Sequence, residues 1–416
     1  MIARIRNSYK NSENTKALVD NFAFLIMLKA ASFVFPLITL PYLSKVIGVE
    51  KFGAIAFATA MMTFIETITD WGFNYTATRD VAKCRDDLKQ VSRIFSEVIW
   101  CKLILAGICF LVLYIMCNYI PYLNNYKTLL FFTFAYIPGQ IFFPEWLFQA
   151  FERMKYITIL SLLSKLVFTI LIFACIKEDT DYIYHPLLNA AGYIVSGIFA
   201  LYIIFNKFRL RLIVPSFNDV YLRLKSSVDM FLSLIFPNLY TSISTVVLQI
   251  YCGESATGIY SGGKKMQEIM DQFTQVLSRT FFPFLARHKE KHYIYVYISV
   301  VVSALSCAIM FFGADLFVKY LLTPEFKNAA TVIRIFSITP FFLFLMNTYG
   351  TNYLVIIGKE NILRNIIIGC SILGFVLTCF LTIQYSYIGA SVSIVAVWGI
   401  RGALTYYYAM KYKRNS

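Results

Sequence analysis

Residues 52–79 read FGAIAFATAMMTFIETITDWGFNYTATR. The run is apolar and long enough to cross a bilayer, which takes about 20 residues as a helix. It also carries Glu66 and Asp70, four residues apart, so both lie on one helical face. Steps of three or four along that face give Thr59, Thr63, Glu66, Asp70 and Asn74. Ionisable groups are costly inside a membrane and face a bundle interior or an aqueous cavity rather than lipid. A helix with such a face needs a polar chamber beside it, and other helices to enclose that chamber.

The whole composition points the same way. Hydrophobic residues make up 58% of the chain and charged residues 15%, with a mean hydropathy of +0.64. Soluble domains are about a quarter charged, so the expected class is an all-α integral membrane protein. The first apolar stretch, 22–46, exceeds the ~7–15-residue core of a secretory signal and no small-residue cleavage site follows, so it is expected to be retained. Hydropathy predicts twelve spans, at 18–46, 52–74, 93–118, 128–150, 155–176, 185–206, 227–251, 256–282, 293–313, 330–357, 362–383 and 387–409.

Charge placement orients them. With the amino terminus and every second loop on one side, that side holds 24 Lys and Arg and the other holds 6. The positive-inside rule then puts both termini in the cytoplasm. This asymmetry accounts for much of the net charge of +15 and argues against a nucleic-acid partner. The short loops leave no room for a soluble catalytic domain. The expectation is a transporter, not an enzyme, with no cofactor and no metal. Nine cysteines without a CxxC read as small core hydrophobes. His288 and His292 have an i, i+4 spacing that suits a metal but lack a third ligand. Gly262-Gly263-Lys264 lacks the strand and the spacing of a phosphate-binding loop.

A faint repeat divides the chain. Phe35-Pro36 is matched by Phe236-Pro237, and Gly48-x4-Gly53 by Gly253-x4-Gly258. Two six-helix bundles follow, 1–206 and 227–416, joined by a cytoplasmic linker at 207–226, as a parallel repeat. Pro36 and Pro41 are expected to kink the first span. Polar faces recur on four spans. The first carries Lys29, Ser32, Pro36 and Thr39; the seventh carries Asp229, Ser233, Pro237, Tyr240 and Ser244. The eighth carries Lys264, Glu268, Asp271, Gln275 and Arg279, with Lys265 to one side, and a Lys264–Glu268 pair is one outcome of that spacing. Lys165 lies in the fifth span and Arg334 near the start of the tenth. Glu97, Lys102, Arg279 and Arg401 read as side chains that snorkel to an interface.

The segments PLITLPYLSKVIGVEKFGAIAFA (36–58) and DWGFNYTATRDVA (70–82) resemble the amino-terminal half of Wzx-type O-antigen and polysaccharide flippases. GIYSGGKKMQE (258–268) and PEWLFQAFERMKY (144–156) resemble that family's eighth span and fourth-span end. These flippases share a superfamily with multidrug MATE exporters and the lipid II flippase. The resemblance implies translocation of undecaprenyl-diphosphate-linked oligosaccharide units to the periplasmic leaflet of the bacterial inner membrane. It also implies alternating access between two six-helix bundles, with coupling to H+ or Na+ left open. The implied partners are that lipid-linked glycan, membrane lipid, a polysaccharide polymerase and a chain-length regulator.

On this reading, Lys29, Lys264, Lys265, Lys165 and Arg334 attract the diphosphate as fixed cations. Asp70, then Glu66, Asp229 and Asp271, are the candidates for ion coupling or gating. Tyr240 and Gln275 are expected to face the glycan. A MATE-type drug/ion antiporter would favour acidic faces without so many lysines. A membrane glycan polymerase or ligase would be expected to carry a sizeable periplasmic loop.

Overall fold

The computed structural model describes residues 2–287 and 292–414. Side chains are described for most of these; those of Lys29 and Arg279 lie outside the described set, as does all of His288. The described chain is helical almost throughout. Within lipid a helix satisfies its own backbone N–H and C=O groups, which an open strand or loop does not. The elements, in chain order, are α1 (Ile2–Asp70), α2 (Phe73–Lys83), α3 (Leu88–Tyr119), α4 (Pro121–Asn124), α5 (Lys127–Phe134), α6 (Tyr136–Phe142), α7 (Glu145–Ala150), α8 (Met154–Cys175), α9 (His185–Asn206), α10 (Phe217–Thr241), α11 (Ile243–Arg287), α12 (His292–Leu321), α13 (Ala329–Phe336), α14 (Thr339–Leu345) and α15 (Glu360–Arg414). A π-helical stretch, Met346–Val355, follows α14.

Among the described residues, eight helical stretches are long and apolar enough to cross a membrane. Twelve predicted spans become eight for two reasons. Three of the stretches exceed fifty residues, and a residue with non-helical geometry interrupts a long helix in each, at Gly48, Gly253 or Ser386. The predicted span 128–150 is instead cut into three short helices, α5 to α7. The breaks fall at Ala135 and at 143–144; Pro144 sits in the second, and Pro138, which has no N–H to give the Phe134 carbonyl, follows the first. The prolines Pro36 and Pro41 do not break α1; its only non-helical residue is Gly48.

Two compact units result. The first comprises residues 1–39, 65–177 and 183–231; the second comprises 40–64, 178–182 and 232–416. In the second unit the glycine repeat takes physical form. Gly48 and Gly253 adopt φ of 69° and 83° with ψ of −179° in both, a conformation that only glycine reaches without strain. Each starts a new helical run, and the two runs cross at Gly53 and Gly258. A Cβ on Gly53 would overlap the Glu254 carbonyl, and one on Gly258 would overlap the Val49 carbonyl. Backbone therefore touches backbone, with each repeat's glycine against the other's helix. Val49 N–H donates to Glu325 Oε2 at 3.1 Å, and Phe52 meets Phe326 edge-on at 5.6 Å.

In the first unit, α1 ends at Asp70 because Trp71 and Gly72 both take positive φ, 47° and 78°. Trp71 is held there by two contacts. Its indole N–H donates to the Leu224 carbonyl at 3.0 Å, and its ring stacks on Phe231 at 4.1 Å. The linker lies against α3: Arg211 N–H donates to Ser92 Oγ at 3.1 Å and Ile213 N–H to Ser96 Oγ at 2.8 Å.

Candidate functional site

Glu66 and Asp70 share a face of α1 but have different partners. Asp70 Oδ1 accepts from Lys102 Nζ at 2.7 Å, with the two side chains only 17% and 9% exposed. Lys102 therefore does not snorkel. It is carried inward by α3 and neutralises Asp70, an arrangement a buried carboxylate requires. Glu66 Oε1 accepts from Gln140 Nε2 of α6 at 2.5 Å. Beside them the rings of Tyr136 and Tyr193 meet edge-on at 4.6 Å. Glu145 opens α7, exposed, and accepts from Ser161 Oγ at 3.3 Å. One turn along α8, Lys165 Nζ donates to Ser32 Oγ at 2.6 Å. Besides the Asp70–Lys102 pair, the first unit thus holds two carboxylates, an amide, two phenols and an ammonium on α1, α6, α7, α8 and α9.

The same unit holds a second ionic cluster. Arg223 donates to Glu97 Oε2 through Nε at 3.0 Å and Nη2 at 2.7 Å, and to Asp80 Oδ2 through Nη1 at 2.8 Å. Arg93 bridges Glu97 Oε1 at 3.0 Å to Asp219 Oδ1 at 2.7 Å. Glu97 is buried, so it too does not snorkel. Arg223 holds it through two nitrogens and Arg93 through one.

In the second unit the polar stripe of α11 is present, with a different pairing from the one its spacing allows. Lys265, not Lys264, pairs with Glu268, at 2.8 Å, and both side chains are 42% exposed. Lys264 Nζ donates to the Thr241 carbonyl at 3.4 Å and lies 5.8 Å from the Tyr260 ring centre. Among the described residues it has no carboxylate within ion-pair distance. Asp271 Oδ2 accepts from Gln267 Nε2 at 2.5 Å. Gln275 is half-buried on the same helix.

Other expected site residues are placed differently. Tyr240 is 2% exposed and packs so closely on α15 that a Cβ on Gly374 would stand 3.0 Å from its own. It is a core side chain here, which corrects its expected place against the glycan. Arg334 is exposed on α13 and pairs with Asp315 of α12. Asp229 is exposed on α10 and belongs to the first unit. Lys29 lies outside the described side chains. His292 is buried and its Nε2 is 3.0 Å from the Thr348 carbonyl, so the ring faces the π-helical stretch.

The sequence reading missed Gln140 and Glu145, and it misplaced Lys102 and Glu97. A signal for Glu145 existed, since a carboxylate follows Pro144 inside an apolar run. Gln140 and Lys102 gave none, because periodicity identifies a face and not the helix that meets it.

A family model described as Polysaccharide biosynthesis protein matches residues 18–289. The chain is 27% identical over 392 residues to a protein of Escherichia coli (strain K12) named "Putative O-antigen transporter", covering 92% of this chain and 94% of that one. Its fold is similar to that of the lipid II flippase MurJ in an inward closed conformation, with a TM-score of 0.70, 11% identity, and coverage of 92% and 87%. It is also similar to an inward-facing multidrug resistance MATE family transporter of the MOP superfamily, with a TM-score of 0.66, 13% identity, and coverage of 93% and 97%. The chain belongs to the Polysaccharide biosynthesis protein family, as a multi-pass membrane transporter with the fold of those proteins.

Proposed function

From that membership we propose that the chain translocates undecaprenyl-diphosphate-linked O-antigen units from the cytoplasmic to the periplasmic leaflet of the bacterial inner membrane. The relative named for O-antigen transport, matched over more than nine-tenths of both chains, supports the substrate class. The observation in the molecule that carries the reading is Lys264, an ammonium on a membrane helix without a carboxylate partner among the described residues. A lysine in that state has its charge available to an anionic group, and a diphosphate is one.

Lys264 is the first diphosphate contact. Lys265 is the second, released when Glu268 gives it up, and Lys165 and Lys29 are further cations on the first unit's helices. Arg334, held by Asp315, is dropped from that role. The carboxylates Glu66, Asp271 and Asp229 remain candidates for coupling, whereas Asp70 serves chiefly to neutralise Lys102. The chain makes twelve passes in two six-helix halves with both termini in the cytoplasm. Three double-length stretches and the broken span at 128–150 support that count. Access alternates between the two faces of the membrane. With the cytoplasm negative, moving two negative charges outward gains roughly 4.6 kcal/mol per 100 mV, so the membrane potential supplies part of the drive.

Complementation tests this reading. A strain lacking its O-antigen flippase, given this chain with the matching glycan genes, regains polymerised surface O-antigen, and Lys264→Ala reduces the recovery. If the intact chain is made, inserts, and restores none, the reading is wrong.

A further inference from the structure

We infer that the second unit contains a buried proton path along α11, from Asp271 by way of Ser278, Asn352 and Thr348 to His292. The inference rests on the flippase reading and assigns to it a coupling ion and a route.

The observation behind it is a file of buried polar atoms with no protein partner. Asp271 Oδ1, Gln267 Oε1, Asn352 Oδ1 and Thr348 Oγ1 are all buried and unpartnered among the described residues. Gln267, Asn352 and Thr348 are 3%, 1% and 0% exposed. Buried polar atoms in native proteins are satisfied by protein or by ordered water. Several in one file, with no protein partner, mark water sites.

Their order along the helices makes the file continuous. Gln267, Asp271, Thr274 and Ser278 follow steps of three and four on one face of α11. From Asp271 to Ser278 is seven residues, about 10 Å of helix rise. Ser278 Oγ accepts from Asn352 Nδ2 at 2.8 Å. Thr348 lies one turn before Asn352 on the π-helical stretch, and its carbonyl is 3.0 Å from His292 Nε2. A π-helical turn loosens the regular backbone ladder and is frequent at functional sites.

Only the two ends titrate. Asp271 takes up a proton on Oδ1 and later releases it, and His292 does the same through its ring. Ser278, Asn352 and Thr348 keep their protons and hold the waters that carry the transferred one. The charges acting on Asp271 are Glu268 and Lys264 of its own helix. His292 faces Lys413 of α15 and the rings of Tyr295, Tyr349 and Tyr353. The file suits a proton rather than sodium because both of its ends, Asp271 and His292, can take up and release one, and a histidine is a poor partner for an alkali ion.

The test is proton entry into vesicles of the purified chain, read by pyranine inside, under an imposed pH gradient and with undecaprenyl diphosphate in the bilayer. The wild-type chain is expected to carry protons and not ²²Na+. Thr348→Val and Ser278→Ala, which remove one hydroxyl with little change of size, slow entry about tenfold, the effect of one lost water bridge. Asp271→Asn abolishes it, and Asp315→Asn, on the exposed Arg334 pair, leaves it unchanged. Wild-type rates in Thr348→Val, Ser278→Ala and Asp271→Asn overturn the path, as does sodium entry without proton entry. A wild-type chain that moves lipid-linked oligosaccharide but no protons also overturns it while leaving the flippase reading intact. Failure to move either overturns both.

Discussion

Gly258→Ala puts the glycine crossing to a direct test. The new Cβ would overlap the Val49 carbonyl oxygen and lie 2.9 Å from Val49 C and 2.8 Å from Val49 Cγ2. The first two obstacles are backbone atoms and cannot rotate away, so the two helical runs must separate. That separation also loosens the Val49–Glu325 hydrogen bond and the Phe52–Phe326 contact. Overpacking costs about 1–3 kcal/mol, and rigid backbone obstacles place this case near the upper end. For a unit of this size a loss of about 3 kcal/mol lowers the melting temperature by roughly 6–12 °C. The assay is thermal unfolding of the purified chain in detergent, followed by intrinsic fluorescence. Gly53→Ala strikes the same crossing from the other repeat and is expected to match it. The double substitution then costs less than the sum, because the helices have already parted. Gly369→Ala, with open space around it, is the control and stays near wild type. A Gly258→Ala protein that melts with the wild type, or a fully additive double variant, would refute the crossing.

Lys102→Met removes the partner of Asp70 and leaves a buried carboxylate unpaired, at a cost of about 3–5 kcal/mol. Adding Asp70→Asn should recover much of that loss in the same unfolding assay; no recovery would mean that the two do not form a pair. Lys264→Ala is expected to weaken retention of undecaprenyl diphosphate by nanodisc-embedded protein about tenfold or more, the scale of one lost charge-assisted contact. Arg334→Ala should change it little, and equal effects of the two would remove the distinction drawn between them.

How far the sequence reaches can be followed at particular residues. The glycine repeat was legible because the same spacing recurs, and Gly48 and Gly253 do share one backbone conformation. That the two glycines' helices meet each other was not legible, since spacing fixes a face but not its partner. The same limit explains Asp70. Its place on a polar face of α1 followed from periodicity, while Lys102, thirty-two residues on and within an apolar run, gave no sign that it would turn inward to pair with it. Tyr240 shares a helical face with polar residues, yet Gly374 leaves room for its ring in the core. The single long helix predicted at 128–150 is cut at Ala135 and at 143–144, close to Pro138 and at Pro144. Trp71 in a left-handed conformation had no local cause and depends on Leu224 and Phe231, about 150 residues away.

The central claim is that this chain carries a lipid-linked oligosaccharide across the bilayer. The most direct measurement uses vesicles holding the purified chain and undecaprenyl-diphosphate-linked oligosaccharide, with membrane-impermeant periodate added outside. The account predicts that the protected inner-leaflet pool becomes oxidisable with the wild-type chain and only slowly with Lys264→Ala. A pool that stays protected in the presence of the folded wild-type chain would contradict it.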